Sequence, residues 1–264
     1  MILRLLYLTL LTIPFLVIGA PVQFVLIKAV PRLSHLLPQL FLRLVAFGLG
    51  LKVTVHGRPA PGPVLLLSNH ISWLDIVAIG ATVPVRFVAK SEVAAYPLVG
   101  LFARLQRTIF VDRAKRAETG RITDRMGDAL GAGDAVLLFA EGTSDIGTHV
   151  LPFKSALVGA VEKAVAARGG KAIAIQPLAI AYATISGLPL SRNERGKIAW
   201  VGDMGVHDNL GAILGSGPKS VFIAFGAPLA AENDRKALAR EAEGQVRQML
   251  VALNRGLALP RAGD

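Results

Sequence analysis

Hydrophobic and polar positions along the chain follow two regimes. The first is simple: no charged residue occurs between Arg4 and Lys28. A stretch of that length can cross a bilayer core, which takes about 20 apolar residues. Pro14 and Pro21 interrupt it. The pattern therefore predicts either a single crossing or a bent, re-entrant pair of helices, 5–18 and 22–30, continuing to about Phe47. The stretch is too long for the apolar core of a secretory signal, and no small-x-small cleavage site stands out near its end.

Past residue 50 the pattern changes to short apolar runs alternating with helical periods. Strands are predicted at 52–56, 63–68, 85–89, 108–111, 135–139, 172–183, 197–201 and 219–225. Helices are predicted at 72–82, 98–105, 115–130, 152–167 and 235–253. The clearest helical stripe is Ile122, Met126 and Leu130, with Arg121 and Arg125 outside it. Strands alternating with helices predict an α/β fold: a single mixed, largely parallel sheet flanked by helices and preceded by an N-terminal hydrophobic helical membrane segment. The domain reading is membrane-associated helices over 1–50, an α/β domain over 51–256, and a frayed tail over 257–264.

Composition narrows the function classes. Hydrophobic residues make up 53% of the 264 and charged residues 18%, against roughly 25% charged in a typical soluble domain. The net charge is +11, from 29 basic and 18 acidic residues, which favours anionic membranes or acidic partners. Arg4, Lys28, Arg32, Arg43 and Lys52 flank the apolar segments and suit a cytoplasmic, anionic leaflet. Only 6% of residues are aromatic and no dense Lys/Arg run occurs, which argues against nucleic acid. The absence of cysteine removes disulfides and thiolate metal sites, and five scattered histidines without a His-x3-His pair argue against zinc.

The chemistry concentrates after the predicted strands. Asn69-His70-Ile71-Ser72-Trp73-Leu74-Asp75 places an imidazole and a carboxylate five positions apart. They can meet if His70 lies in the turn after a strand and Asp75 in the first turn of the next helix. A carboxylate that fixes an imidazole makes a general base able to deprotonate an alcohol. Ser72 to Asp75 also fits a helix capping box, which leaves His70 as an ordinary turn residue, and the two readings are compatible. Arg107-Thr108-Ile109-Phe110-Val111-Asp112-Arg113 ends a strand in a guanidinium, suited to phosphate or carboxylate; its plain alternative is a solvated charge pair. Phe139-Ala140-Glu141-Gly142-Thr143-Ser144-Asp145 follows another strand. It is either an anion-cradling loop or a simple turn, and Glu141 fits it only by meeting Arg113, a hydroxyl or an amide. Lys90 also follows a strand. Pro177 lies inside a strand-like run, where a proline marks an edge or a bulge.

In their joint order these segments resemble the glycerolipid acyltransferase family typified by lysophosphatidic acid acyltransferases, over about residues 50–225. The Asn-His-x4-Asp motif is matched by Asn69, His70 and Asp75. The second motif, Gly-x-Ile-Phe-Val-x-Arg, is matched at Ile109, Phe110, Val111 and Arg113, with Arg107 in place of glycine. The third, Phe-Pro-Glu-Gly-Thr-Arg, is matched at Phe139, Glu141, Gly142 and Thr143, with Ala140 for proline and Ser144 for arginine. An apolar run containing Pro177 stands for the fourth, and Phe153-Lys154 resembles the segment following the third.

The resemblance implies an O-acyltransferase of bacterial membrane lipid synthesis at the cytoplasmic face of the inner membrane. His70 would act as general base and Asp75 would orient it, with an acyl thioester of acyl carrier protein or coenzyme A as co-substrate. Arg113, Lys90, Glu141, Gly142, Thr143 and Ser144 would bind or shape the acceptor site, supported by Asn69, Phe110 and Pro177. No metal or organic cofactor is implied. A thiol leaves readily at its ordinary pKa of about 8.5, and no acyl-enzyme is required. In the family the third-motif arginine helps hold the acceptor phosphate, a charge Ser144 cannot supply. Arg107 is the candidate replacement, and failing that the head group is less anionic than a phosphate monoester. The Phe-Ala-Glu-Gly-Thr form resembles the bacterial branch that acylates lyso-ornithine lipid, with 1-acylglycerol-3-phosphate the other acceptor. Two other classes stay open: a thioesterase or lipid hydrolase using the same pair, and a noncatalytic lipid-binding membrane protein.

Overall fold

Every residue of Val64–Ser68 is buried, as a strand must be when both faces of its sheet are covered. Its side chains alternate between two cores: Leu65 and Leu67 pack with Val136, Leu138 and Ile175 on one face, and Val64 and Leu66 with Leu137, Phe139 and Ile180 on the other. The computed structural model describes residues 1–111, 118–159, 173–202, 204, 206–229 and 234–259. In chain order it comprises α1 (Ile2–Pro14), a π-helical turn (Phe15–Gly19), α2 (Ala20–Ala29), α3 (Leu36–Gly48), β1 (Leu51–His56), β2 (Val64–Ser68), α4 (Leu74–Thr82), β3 (Val85–Lys90), α5 (Pro97–Leu105) and β4 (Ile109–Val111). There follow α6 (Glu118–Gly131), β5 (Ala135–Phe139), β6 (Ala174–Ile185), β7 (Leu188–Pro189), α7 (Arg192–Ile198), α8 (Val206–Gly215), β8 (Lys219–Phe225) and α9 (Arg235–Arg255).

The sheet runs β1-β8-β6-β2-β5-β3-β4, with β7 paired to β6. β8 and β7 are antiparallel to β6, and the remaining pairs are parallel. Helices α6 and α9 bury their apolar stripes on one face of the sheet; α3, α4 and α8 cover the other. The sheet is thus mixed, largely parallel and flanked by helices. Because β2, β3, β4 and β5 run parallel, their carboxyl ends share one edge, where crevices form in open α/β sheets.

The N-terminal apolar segment is one continuous helix over Ile2–Ala29, about 42 Å long at 1.5 Å per residue. Pro14 and Pro21 do not divide it. The Ala20 N–H reaches back to the Phe15 carbonyl, and this widened turn absorbs the ladder disruption that Pro21 would cause. The chain breaks instead at Val30 and Pro31 before α3. One side of the helix docks on the body through Phe15, Phe41 and Phe102, with Phe15 and Phe41 stacked at 4.0 Å. Gly48 lets α1 approach α3, since a Cβ there would lie 2.7 Å from the Tyr7 ring. The other side leaves Leu3, Leu6, Leu10, Ile13, Val17 and Val25 exposed, an apolar surface that marks the chain as membrane-associated.

Two buried polar side chains tie this helix layer to the domain. Gln23 Nε2 donates to the Ser34 and Leu105 carbonyls at 2.6 and 2.8 Å. Lys219, at the start of β8, donates to the carbonyls of Leu49, Ile213 and Gly217. Burial, and secondarily the nearby Arg4 charge, push its ammonium down to about 8.

Two expectations need correction, and a third is tested only in part. The strand expected at 197–201 is the end of α7 followed by an extended passage. Ser191 and Glu194 form a reciprocal capping box that starts a helix there. Pro177 is not on an edge, since β6 is interior and Pro177 pairs with Leu67 of β2; the expected bulge lies opposite it, because Gly226 bonds Pro177 while Leu229 bonds Ile175, one residue more on the partner side. The Pro177 carbonyl accepts from Gly226 N–H at 2.9 Å. The Gly226 carbonyl, which a regular ladder would supply with the missing proline N–H, accepts from Gln176 Nε2 at 2.8 Å. The helix expected at 152–167 begins as a short 3-10 turn, Ser155–Leu157, and residues 160–167 lie outside the described residues.

Gln23→Ala leaves two carbonyls at the helix–domain seam without their donor and is expected to destabilise the protein by about 2 kcal/mol. The thermal midpoint in detergent should fall by roughly 4–8 °C; an unchanged midpoint would show that the seam does not depend on this side chain.

Candidate active site

The site is assembled by the turn that follows β2. Where β2 and β6 cease to pair through their backbones, the Asn69 side chain takes over: its Nδ2 donates to the Ile180 carbonyl at 3.0 Å and its Oδ1 accepts from Ile180 N–H at 2.9 Å. An amide side chain alone presents both groups of a peptide unit. His70 comes next, with its backbone held at both ends. Its N–H donates to Glu141 Oε2 at 2.7 Å, and its carbonyl accepts from Asp145 N–H at 2.9 Å.

Asp75 lies in the first turn of α4 and is fully buried. Its Oδ2 accepts from His70 Nδ1 at 2.8 Å, from Ile71 N–H at 2.7 Å and from Ser72 N–H at 3.0 Å. Its Oδ1 accepts from the Tyr182 hydroxyl at 2.7 Å. Four donors and no acceptor suit a carboxylate, and they assign the His70 proton to Nδ1. The lone pair of Nε2 is then available to an acceptor hydroxyl. Burial, followed by the Asp75 charge, pushes the Tyr182 phenol well above its ordinary value, so it remains a donor.

The capping box expected at Ser72 forms only in half. Asp75 reaches back to Ser72 N–H, but Asp75 N–H bonds the Ser72 carbonyl rather than its hydroxyl. The hydroxyl accepts from Leu74 N–H at 3.4 Å and donates to Ile198 O at 2.6 Å, and α4 starts at Leu74 with Trp73 as its N-cap. The serine therefore serves a contact 126 positions away.

The His70 ring stacks on Phe139 at 3.9 Å and 17°. It lines a cleft of about 130 Å³ with Trp73, Lys90, Tyr96, Gly142, Thr143, Ser144 and Trp200, among others. Ile76, Phe87, Val88, Val93 and Val99 form its apolar side, leading toward α5. Larger cavities of about 380 and 550 Å³ lie elsewhere, and neither includes His70. The smaller cleft is the one whose wall includes the His70 imidazole.

The expected site residues divide accordingly. His70, Lys90, Gly142, Thr143 and Ser144 meet at the cleft, while Asp75 and Asn69 are buried beneath it. Gly142 adopts φ +75°, with Lys154 packed where a Cβ would stand. Among the described residues Glu141 meets amides: it accepts from His70 N–H and Leu151 N–H, each at 2.7 Å. Burial pushes its carboxyl up to about 7 despite those two amide bonds. Phe110 sits on β4 beside the lining residue Ala89 without lining the cleft itself, and Pro177 lies within the sheet. Arg113 lies outside the described residues. Arg107 does not stand in for the missing arginine: it precedes β4, at the opposite edge of the sheet, and pairs with Asp134 at 3.5 Å.

Sequence reasoning missed two residues. Tyr182 lies 107 positions from Asp75; the available signal was its alternation with Leu178 and Ile180 on one strand face. Trp200 was hidden in the strand expected at 197–201, although the Ser191–Glu194 capping spacing marked a helix before it.

Comparison with known proteins identifies the family. The acyltransferase family profile matches residues 52–181. The chain is 43% identical over 245 residues to a lyso-ornithine lipid O-acyltransferase of Brucella abortus, covering 92% of each chain. It is 37% identical over 239 residues to the enzyme of that name from Rhizobium meliloti, covering 89% of this chain and 82% of the relative. A 1-acyl-sn-glycerol-3-phosphate acyltransferase of Neisseria meningitidis is 38% identical over 117 residues, covering 43% of this chain and 45% of the relative. The crystal structure of the 1-acyl-sn-glycerophosphate (LPA) acyltransferase, PlsC, from Thermotoga maritima shares the fold, with TM-score 0.63 at 21% identity over 96% of this chain and 95% of that one. The chain belongs to the acyltransferase family.

Glu141 carries a pH prediction. Its folded-state value of about 7 lies above the ordinary 4.5. Between those values the native chain binds more proton than the unfolded chain, so stability falls as pH rises through the window from about 4.5 to about 7. Glu141→Gln should flatten that slope in denaturant titrations at several pH values; an identical slope in the variant would assign it to another group.

Proposed function

We propose that this chain transfers a fatty acyl group from an acyl thioester to the free hydroxyl of lyso-ornithine lipid. The observation that carries the reading is the His70–Asp75 pair, an imidazole held at 2.8 Å by a buried carboxylate at the wall of a partly apolar cleft. His70 Nε2 takes the hydroxyl proton as the oxygen attacks the acyl carbon. The new ester C–O bond forms, the C–S bond breaks, and the thiolate leaves with the proton that His70 returns. Asp75 stabilises the intervening imidazolium. The scheme uses no metal or organic cofactor.

The acceptor rests on similarity and on one departure. The relatives covered at 92% and 82% of their length bear the lyso-ornithine name, whereas the Neisseria glycerophosphate acyltransferase is matched over less than half. Ser144 is neutral and its hydroxyl donates to the Trp200 carbonyl, so this position adds no charge for a phosphate. Lys90 at the cleft and Arg113 would meet the head-group carboxylate, while Thr143 and Gly142 shape the site. The donor is acyl carrier protein or coenzyme A thioester; both are acidic and suit the net charge of +11. With the apolar helix Ile2–Ala29 as anchor, the enzyme works at the cytoplasmic face of the bacterial inner membrane.

Purified protein with labelled acyl thioester should acylate lyso-ornithine lipid at least about tenfold more efficiently than lysophosphatidic acid, a gap of roughly 1.4 kcal/mol. His70→Ala should lose about 10²- to 10⁴-fold in rate while remaining in the membrane fraction. Preference for the phosphate acceptor would overturn the acceptor assignment. Fatty acid release independent of any acceptor would favour a thioesterase, and full turnover by His70→Ala would place the base elsewhere.

A further inference from the structure

Trp200 belongs to no motif, yet the chain fixes it beside the base from three directions. Its N–H donates to the Ile71 carbonyl at 2.9 Å, within the turn between His70 and Asp75. Its carbonyl accepts from the Ser144 hydroxyl. Its indole N–H donates to the Met204 carbonyl. The ring stands at 85° to the His70 imidazole, with centroids 6.4 Å apart, and lines the same cleft. With its N–H occupied, the indole has its π system to offer a ligand.

The cleft's other polar resources are uneven. Among the described residues lining it, Lys90 is the one Lys, Arg, Asp or Glu side chain, and the rings of Trp73, Tyr96 and Trp200 make up much of the remainder. A phosphate monoester gains little from aromatic faces. A head group with one carboxylate and one ammonium needs a cation and a cation-accepting surface, and an aromatic face supplies the latter without an acidic residue. Indole is the best aromatic acceptor of an ammonium.

We infer that Trp200, held by the Ser144 latch, is a specificity residue that receives the side-chain ammonium of the lyso-ornithine head group on its indole face. The inference rests on the acceptor assigned under the proposed function. It also gives Ser144 a role: its hydroxyl anchors the aromatic through the Trp200 carbonyl.

The test compares kcat/KM for lyso-ornithine lipid and lysophosphatidic acid in native protein, Trp200→Phe and Trp200→Leu. It includes, for each, lyso-ornithine lipid with its side-chain amine acetylated. Trp200→Leu should lower the ratio of lyso-ornithine to lysophosphatidic acid efficiency about tenfold, chiefly through KM, and Trp200→Phe should retain most of it. Acetylation should cost native protein a similar factor and cost Trp200→Leu little further, a readout that loss of folded protein cannot mimic. Native protein that ignores acetylation, or a leucine variant that loses both acceptors in proportion, overturns the assignment of Trp200 alone. Native protein that acylates no lyso-ornithine lipid overturns the acceptor reading and this inference with it.

Discussion

A single buried carboxylate organises the catalytic edge of this molecule. Asp75 is out of contact with solvent, and an ion in that position is tolerated only when donors surround it. It has four, from two parts of the chain: the imidazole and two amides of the turn before α4, and a phenol from β6. Removing any of them leaves a buried charge short of a partner. The carboxylate thus closes the turn, starts the helix and orients the imidazole at once.

The surrounding fold supplies rigidity at each contact. β5 delivers Glu141 and Asp145 to the two ends of the His70 peptide, and Phe139 supports the ring. β6 delivers Tyr182 to Asp75 and the Ile180 peptide to Asn69. The passage after α7 bonds the turn through Ser72 and Ile71. The imidazole is therefore mounted between adjacent strands of the sheet and one extended passage, while the apolar helix docks through a separate cluster around Phe15. Seating the apolar helix and fixing the imidazole are duties of different contacts.

Local pattern made most of the framework legible. The strand of buried leucines at 65–67 and the loops at 69–75 and 139–145 carry their own spacing and chemistry, so the strand edges and the His70–Asp75 pair could be read directly. What was illegible depends on tertiary choice. Nothing around Pro177 states that Gln176 will serve the carbonyl the proline cannot. Pro21 reads as a break, yet a shift of one hydrogen bond to Phe15 carries the helix through. Arg107 reads as a spare cation for the site, but its position before β4 commits it to Asp134 at the far edge. Tyr182 and Trp200 act across long separations in the chain, beyond the reach of any periodicity.

Asp75 holds His70 with its proton on Nδ1, which leaves the Nε2 lone pair to the cleft that the ring lines. The most direct measurement is the ¹⁵N NMR spectrum of ring-labelled histidine in the detergent-solubilised protein at a pH where the imidazole is neutral, with His70→Ala used to assign the signals. A pyrrole-type Nδ1 and a pyridine-type Nε2 are expected for His70, with loss of that single tautomer in Asp75→Ala. A pyrrole-type Nε2 in the native protein, or a tautomer indifferent to the loss of Asp75, would contradict the claim.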